Sequence, residues 1–93
     1  KASAAMELIL GSEEENTKLN IYPNPISPGS PLHISMPFTA AKVDVLNSLG
    51  VVVHSFQLDQ AESTIYLGPF VSGKYYFRFT AESIVQTIPV LVL

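Results

Sequence analysis

The segment Gly73-Lys74-Tyr75-Tyr76-Phe77-Arg78-Phe79 carries the strongest structural signal in the chain. After the glycine, Tyr75, Phe77 and Phe79 alternate with Lys74, Tyr76 and Arg78. Successive side chains of a β-strand point to opposite faces, so the three aromatic rings of the first set share one face. Each such ring buries roughly 150–250 Å². The segment is therefore predicted to be the central core strand.

Working outward, shorter segments repeat the same alternation between turn residues. In Leu32–Met36 and Lys42–Leu46 every second residue is apolar, and Val51–Leu58 returns after a turn at Asn47–Gly50. This pattern, without a useful helical period, predicts an all-β fold: a small antiparallel immunoglobulin-like β-sandwich of about seven strands. The residues expected to face the core are Ile21, Ile34, Val43, Val45, Val53, Ile65, Tyr75, Phe77 and Phe79.

Glycine and proline positions refine this prediction. Gly50 is expected at positive φ in the turn, where a side chain would be strained. Gly73 is expected where another part of the backbone approaches closely. Pro89 lacks an N–H group, which places the last strand at a sheet edge or at a bulge.

Composition excludes several classes of protein. The chain has 93 residues, of which 47% are apolar and 14% charged, so it is one ordered domain rather than a disordered segment. It has no cysteine, hence no disulfide and no thiolate metal site. The formal charge of −3 derives from Glu13, Glu14 and Glu15, and the rest of the chain is balanced. A neutral body without a basic patch argues against nucleic acid as a partner.

The chain divides into two regions. Residues 1–17 are read as the end of a preceding region, with a short strand at Glu7–Leu10, followed by an acidic flexible linker. The linker contains Glu13, Glu14, Glu15, Asn16 and Thr17, and it is either an exposed loop or a processing site. Residues 18–93 form the domain. No apolar stretch approaches the roughly 20 residues that a transmembrane helix needs.

Residues of catalytic type are present but not in a catalytic pattern. His33 and His54 are far apart, and no spacing typical of metal ligands occurs. Asp44 and Asp59 are expected as solvated carboxylates on or beside hairpin strands. No nucleophile elbow or glycine-rich phosphate loop is found. The sequence predicts a protein that is not an enzyme and that needs no cofactor or metal.

Three motifs in order resemble a known family. They are Leu19-Asn20-Ile21-Tyr22-Pro23-Asn24-Pro25, then Val43–Val53, then Gly73–Phe79 followed by an apolar strand. Together they resemble the C-terminal sorting domain of the type IX secretion system. The tail departs from the family pattern, because Thr87–Leu93 carries no lysine and includes Pro89.

The resemblance implies that the domain is a C-terminal secretion signal that directs a cargo protein across the outer membrane to the cell surface. The implied partners are the type IX translocon, an outer-membrane shuttle protein and a cell-surface sortase. The implied route leads through the periplasm to the outer membrane, the cell surface or the extracellular space. The resemblance implies that a sortase would cleave in or near Gly11–Thr17. Removal of the domain by this cleavage and retention of the domain are two open alternatives.

Recognition is expected at two motifs and at the last strand, which is predicted to have one unpaired edge. The candidate residues are Tyr22, Pro23, Asn24, Pro25, Gly73, Tyr75, Val90, Leu91, Val92 and Leu93. An alternative is that Val90–Leu93 only complete the core. Edge strands also predict possible dimerisation. The alternative function is a non-catalytic β-sandwich spacer or adhesin module on a surface protein.

Overall fold

The computed structural model describes residues 19–68 and 70–93, which form seven β-strands and, within these ranges, no helix. The strands are β1 (Asn20–Tyr22), β2 (Pro31–Ser35), β3 (Ala41–Leu46), β4 (Val52–Leu58), β5 (Glu62–Tyr66), β6 (Gly73–Ala81) and β7 (Ile84–Val92). One antiparallel sheet has the order β1-β2-β5, and the other has the order β4-β3-β6-β7. The predicted all-β sandwich is confirmed. The predicted strand at Glu7–Leu10 and the linker Glu13–Thr17 lie outside the described residues.

Strand β6 occupies the centre of the four-stranded sheet, as its sequence predicts. It pairs with β3 on one side and with β7 on the other. Phe77 lies opposite Val45 and Ile88, and all four inward residues of β6, from Tyr75 to Ala81, are buried. The alternation of aromatic and polar residues therefore sets both the position and the orientation of this strand.

The core contains most of the residues that the alternation predicts. Ile21, Ile34, Val43, Val45, Tyr75, Phe77 and Phe79 are buried. Ile65 is partly buried and packs against them. The core is completed by Ile26, Leu32, Met36, Ala41, Leu58, Ala81, Val90 and Val92.

The prediction for Val53 was wrong, since this residue is 47% exposed. Val45 pairs with His54 and Val43 pairs with Phe56, so these residues of β4 share the inward face. The register then shifts between Val45 and Leu46, next to Val53. Val53 is next to His54 in the chain, so alternation along β4 turns it outward whether or not the register shifts, and a run of three valines does not show which of them faces the core.

The turn Asn47–Gly50 is as predicted. The amide of Gly50 donates to the carbonyl of Asn47 at 2.9 Å, and Gly50 has φ of 83°. The side chain of Asn47 accepts hydrogen bonds from the amides of Leu49 and Val51. At Gly73 the expected close approach is not present, because a Cβ there would meet no atom within 4 Å. Its φ of 149° is what favours glycine at this position.

Candidate recognition surface

Asn24 joins the proline-rich segment to the last strand. Its Nδ2 donates to the carbonyl of Pro89 at 2.8 Å, and its Oδ1 accepts from the amide of Leu91 at 3.0 Å. One primary amide thus satisfies two backbone groups on the outer edge of β7. The peptide bonds that precede Pro23 and Pro25 are both cis.

Ile26 continues the same contact. Its amide donates to the carbonyl of Leu91, and its carbonyl accepts from the amide of Leu93, each at 2.9 Å. Ile26 and Val92 form a parallel bridge, and the Ile26 side chain is buried in the core. We call the Asn24 side chain and the Ile26 backbone together the Asn24 clasp. It closes the edge of β7 from Pro89 to Leu93.

The clasp corrects the expectation that Val90–Leu93 would have an unpaired edge. The backbone groups of Leu91 and Leu93 that face outward are already bonded. No local signal could indicate this, because Asn24 and Leu91 are 67 positions apart. The proline-rich segment that contains Asn24 and Ile26 is therefore part of the sheet edge.

The end of β7 has two different faces. Val90 and Val92 are buried, while Leu91 is 42% and Leu93 56% exposed. The last strand therefore both completes the core and presents two leucines to the surroundings. Leu91 also lines an open cleft of about 330 Å³ with Asn24, Lys74, Pro89 and Val90. This cleft offers a side-chain amide, an ammonium group and apolar surface, with no carboxylate among these residues.

Two of the predicted recognition residues have structural roles. Tyr75 is buried, and its hydroxyl donates to the carbonyl of Val71 at 2.8 Å. Its ring lies 5.0 Å from that of Phe70. This arrangement resembles the tyrosine corner of immunoglobulin-like sandwiches, in which a tyrosine near the start of the sixth strand bonds the backbone just upstream. Gly73 pairs with Val92 in the ladder.

Tyr22 lies apart from the clasp. It pairs with His33 across β1 and β2, and the two rings stack with centroids 5.2 Å apart on the outer face of the three-stranded sheet. Pro23 and Pro25 are exposed. Within the motif Tyr22–Pro25, Asn24 is the residue whose side chain forms hydrogen bonds with the last strand.

Asp44 is buried, contrary to the expectation of a solvated carboxylate. On the outer face of the four-stranded sheet, Ser55 Oγ donates to its Oδ1 at 2.7 Å, and Arg78 Nη2 donates to its Oδ2 at 3.0 Å. These hydrogen bonds, first that from Ser55 and then that from Arg78, lower the pKa of Asp44 against the effect of burial. The charge of Lys42, whose Nζ lies 3.9 Å away, acts in the same direction. Asp59 is exposed, as predicted.

Within residues 19–68 and 70–93, no three His, Asp or Glu side chains are grouped as metal ligands. In the same ranges, no helix is long and apolar enough to cross a membrane. The candidate site that the geometry offers is a surface, formed by the Asn24 clasp and the end of β7.

Comparisons with known proteins agree with this fold. The chain is similar to part of a solved structure of PorZ, described as an essential bacterial surface component of the type IX secretion system of Porphyromonas gingivalis. The TM-score is 0.67 at 17% sequence identity, and the match covers 89% of this chain but only 12% of that one. No curated protein matches the sequence. Residues 20–92 match the family model described as the secretion system C-terminal sorting domain. The chain therefore belongs to the family of secretion system C-terminal sorting domains.

Proposed function

We propose that this domain is the signal by which the type IX secretion system exports a cargo protein towards the cell surface or the extracellular space. The observation that carries this proposal is the family match, which extends over residues 20–92. A sorting domain acts by being bound rather than by converting a substrate, which agrees with a site made of exposed leucines and backbone.

The recognition element in this proposal is the end of β7. Leu91 and Leu93 are exposed on a strand whose neighbours Val90 and Val92 anchor it in the core. An exposed apolar pair on a rigid strand suits a complementary apolar groove of a partner. The proposed partners are the type IX translocon and the outer-membrane shuttle protein, which bind this end of the domain after transit through the periplasm.

A secretion assay tests the proposal. Residues 1–93 are fused to the C-terminus of a periplasm-targeted reporter in a bacterium that has this secretion system. The native fusion is expected outside the cell or on its surface. The double variant Leu91→Ser, Leu93→Ser is expected to remain inside, and Tyr66→Ser, which changes another exposed apolar side chain in β5, is the matched control. If the native fusion also stays inside, the domain is a spacer or adhesin module and not a sorting signal.

The cell-surface sortase is proposed to act in the acidic segment Glu13–Thr17. This segment carries three consecutive glutamates and has no apolar side chain to bury. Mass spectrometry of the surface-exposed fusion is expected to find a new C-terminus within this segment. Recovery of the intact fusion at the surface would instead show that the domain is retained.

Dimerisation through edge strands stays a prediction. Analytical ultracentrifugation of the purified domain at increasing concentration tests it. A sedimentation coefficient that is independent of concentration would argue against it.

A further inference from the structure

The outer edge of β7 is only partly covered. Strand β7 is the last strand of its sheet, and among the described residues only the Asn24 clasp contacts its outer edge through backbone hydrogen bonds. The clasp ends at Pro89. The segment Ile84–Ile88 lies beyond it, and we call its outer side the free edge.

The direction of the backbone groups along the free edge follows from the ladder. The N–H and C=O groups of Leu91 point outward, because they bond Asn24 and Ile26. The register with β6 runs without interruption from the pair Gly73–Val92 to the pair Ala81–Ile84. In an antiparallel strand every second residue has the same direction. Val85 and Thr87 therefore present their N–H and C=O groups outward.

Natural proteins usually protect such an edge with a charged side chain, a proline or a bulge. The sequence Ile84-Val85-Gln86-Thr87-Ile88 contains no charge and no proline, and its register with β6 shows no bulge. Ile84 is 49% and Val85 58% exposed. The clasp covers the edge of Pro89–Leu93, whereas the edge of Ile84–Ile88 has none of these protections. This contrast indicates that the edge of Ile84–Ile88 is available for binding.

We propose that the free edge of β7 is a strand-addition site, and that its occupant is an extended, uncharged segment of a partner protein. This inference deepens the proposed function, since it names where and how a component of the secretion machinery docks. The backbone of the incoming strand bonds to Val85 and Thr87, and its apolar side chains cover Ile84 and Val85. Leu91 and Leu93 lie further along the same strand and extend the contact.

A second copy of the chain fits this edge less well. The two-fold pairing that uses all outward groups of Val85 and Thr87 is centred on Gln86. In this pairing Gln86 lies opposite Gln86 of the second copy, and Val85 lies opposite Thr87 of the second copy. The exposed valine therefore packs against a side chain that carries a hydroxyl group. An unrelated strand with apolar residues at these positions covers Ile84 and Val85 without that mismatch.

The substitution Thr87→Pro tests the site in the reporter fusion. It removes an N–H that points outward, so no hydrogen bond between β6 and β7 is lost, and Pro89 shows that this side of the strand accepts proline. The control Thr87→Val keeps the N–H at the same position. Secretion of Thr87→Pro is expected to fall about tenfold or more, while Thr87→Val is secreted like the native fusion. Both purified variants are expected to melt within a few degrees of the native domain.

Val85→Lys is the second variant, because a lysine on an edge opposes pairing with a second strand. Secretion of the Val85→Lys fusion tests the proposal if Thr87→Pro does not fold. Normal secretion of a folded Thr87→Pro or Val85→Lys overturns the proposal and leaves the sorting function intact. Failure of the native fusion to be secreted contradicts the sorting function itself. A native domain that dimerises, with both variants monomeric, assigns the edge to a second copy and also overturns the proposal.

Discussion

Asp44 is the residue whose environment departs most from what its position in the sequence suggests. It lies between Ser55 and Arg78 in one row across β4, β3 and β6, where each neighbour donates a hydrogen bond to one carboxylate oxygen. A buried carboxylate is tolerated only when its oxygens are satisfied in this way. Asp44 therefore links three strands through side-chain hydrogen bonds on the outer face of the sheet.

Replacing Asp44 by Asn is expected to lower the free energy of unfolding by about 1–3 kcal/mol at pH 7, because hydrogen bonds to a charged group contribute more than neutral ones. Urea unfolding of the native and variant domains measures this difference. Asp59→Asn removes the same charge from an exposed position and is the control, with an expected change within about 0.5 kcal/mol. An equal effect of both substitutions would show that net charge, and not the row, is responsible.

The same residue predicts how stability depends on pH. The folded state lowers the pKa of Asp44, so its ionised form contributes stability that is fully present above the pKa of an unfolded aspartate, about 3.9. This contribution is lost as the pH falls through the lower pKa of the folded state. The stability difference between native and Asp44→Asn is therefore expected to shrink below about pH 4, which a series of urea titrations from pH 7 to pH 2 checks.

Gly50 gives a second test at a single position. Its φ of 83° places it in the left-handed region, so Gly50→Ala is expected to cost about 1–2 kcal/mol, although a Cβ there would meet no other atom. Ser48→Ala in the same exposed turn is the matched control. A thermal melt in which both variants behave like the native domain would refute the backbone explanation.

Among single residues, those governed by local rules were predicted correctly. The glycine turn at Gly50 follows from four neighbouring residues. The hydrogen bonds of Asn24 and the burial of Asp44 were not predicted, because their partners lie on other strands. A short polar side chain has the same appearance in a sequence whether it is solvated or bonded to a distant backbone.

At the level of the strand, β6 and β7 differ in how far the sequence determines them. Three aromatic residues at alternate positions identify β6, its inward face and its central place in the sheet. Pro89 correctly placed β7 at an edge. The register shift between β3 and β4 was not predictable, whereas the outward position of Val53 follows from alternation with Phe56 and the buried Leu58. Register shifts arise from pairing between strands, whereas periodicity describes each strand alone.

The Asn24 clasp predicts a local loss of stability. Asn24→Ala removes both side-chain hydrogen bonds to β7, so the free energy of unfolding is expected to fall by about 1–3 kcal/mol. The amide proton of Leu91 should then exchange faster with solvent, while that of Phe77 in the sheet centre changes only with global stability. Asn20→Ala, an exposed asparagine in β1, is the control. Unchanged exchange at Leu91 would mean that the hydrogen bond to Asn24 Oδ1 does not protect this amide.

For the whole molecule, the family match and the fold agree on a sorting domain, and its last strand contributes both to the core and to the surface where we propose recognition. A chain of 93 residues has a small core, so few residues can be spared for binding alone. Because the core is small, the residues at the end of β7 are divided between the core and the surface. Val90 and Val92 fill the core, Leu91 and Leu93 face outward, and the clasp holds them in register.

This division predicts that truncation and surface substitution have different effects on the domain. Deleting Leu91–Leu93 removes buried Val92 and the hydrogen bonds that Ile26 makes to Leu91 and Leu93, which together contribute about 3–5 kcal/mol. Such a loss corresponds to a fall in Tm of at least about 10 °C for a domain of this size. The double variant Leu91→Ser, Leu93→Ser keeps every backbone group and the buried valine, so its Tm should change by only a few degrees. Calorimetry distinguishes the two variants. If the double variant melts as low as the truncated domain, the two leucines are part of the fold, and their exposure cannot be taken as evidence for a partner.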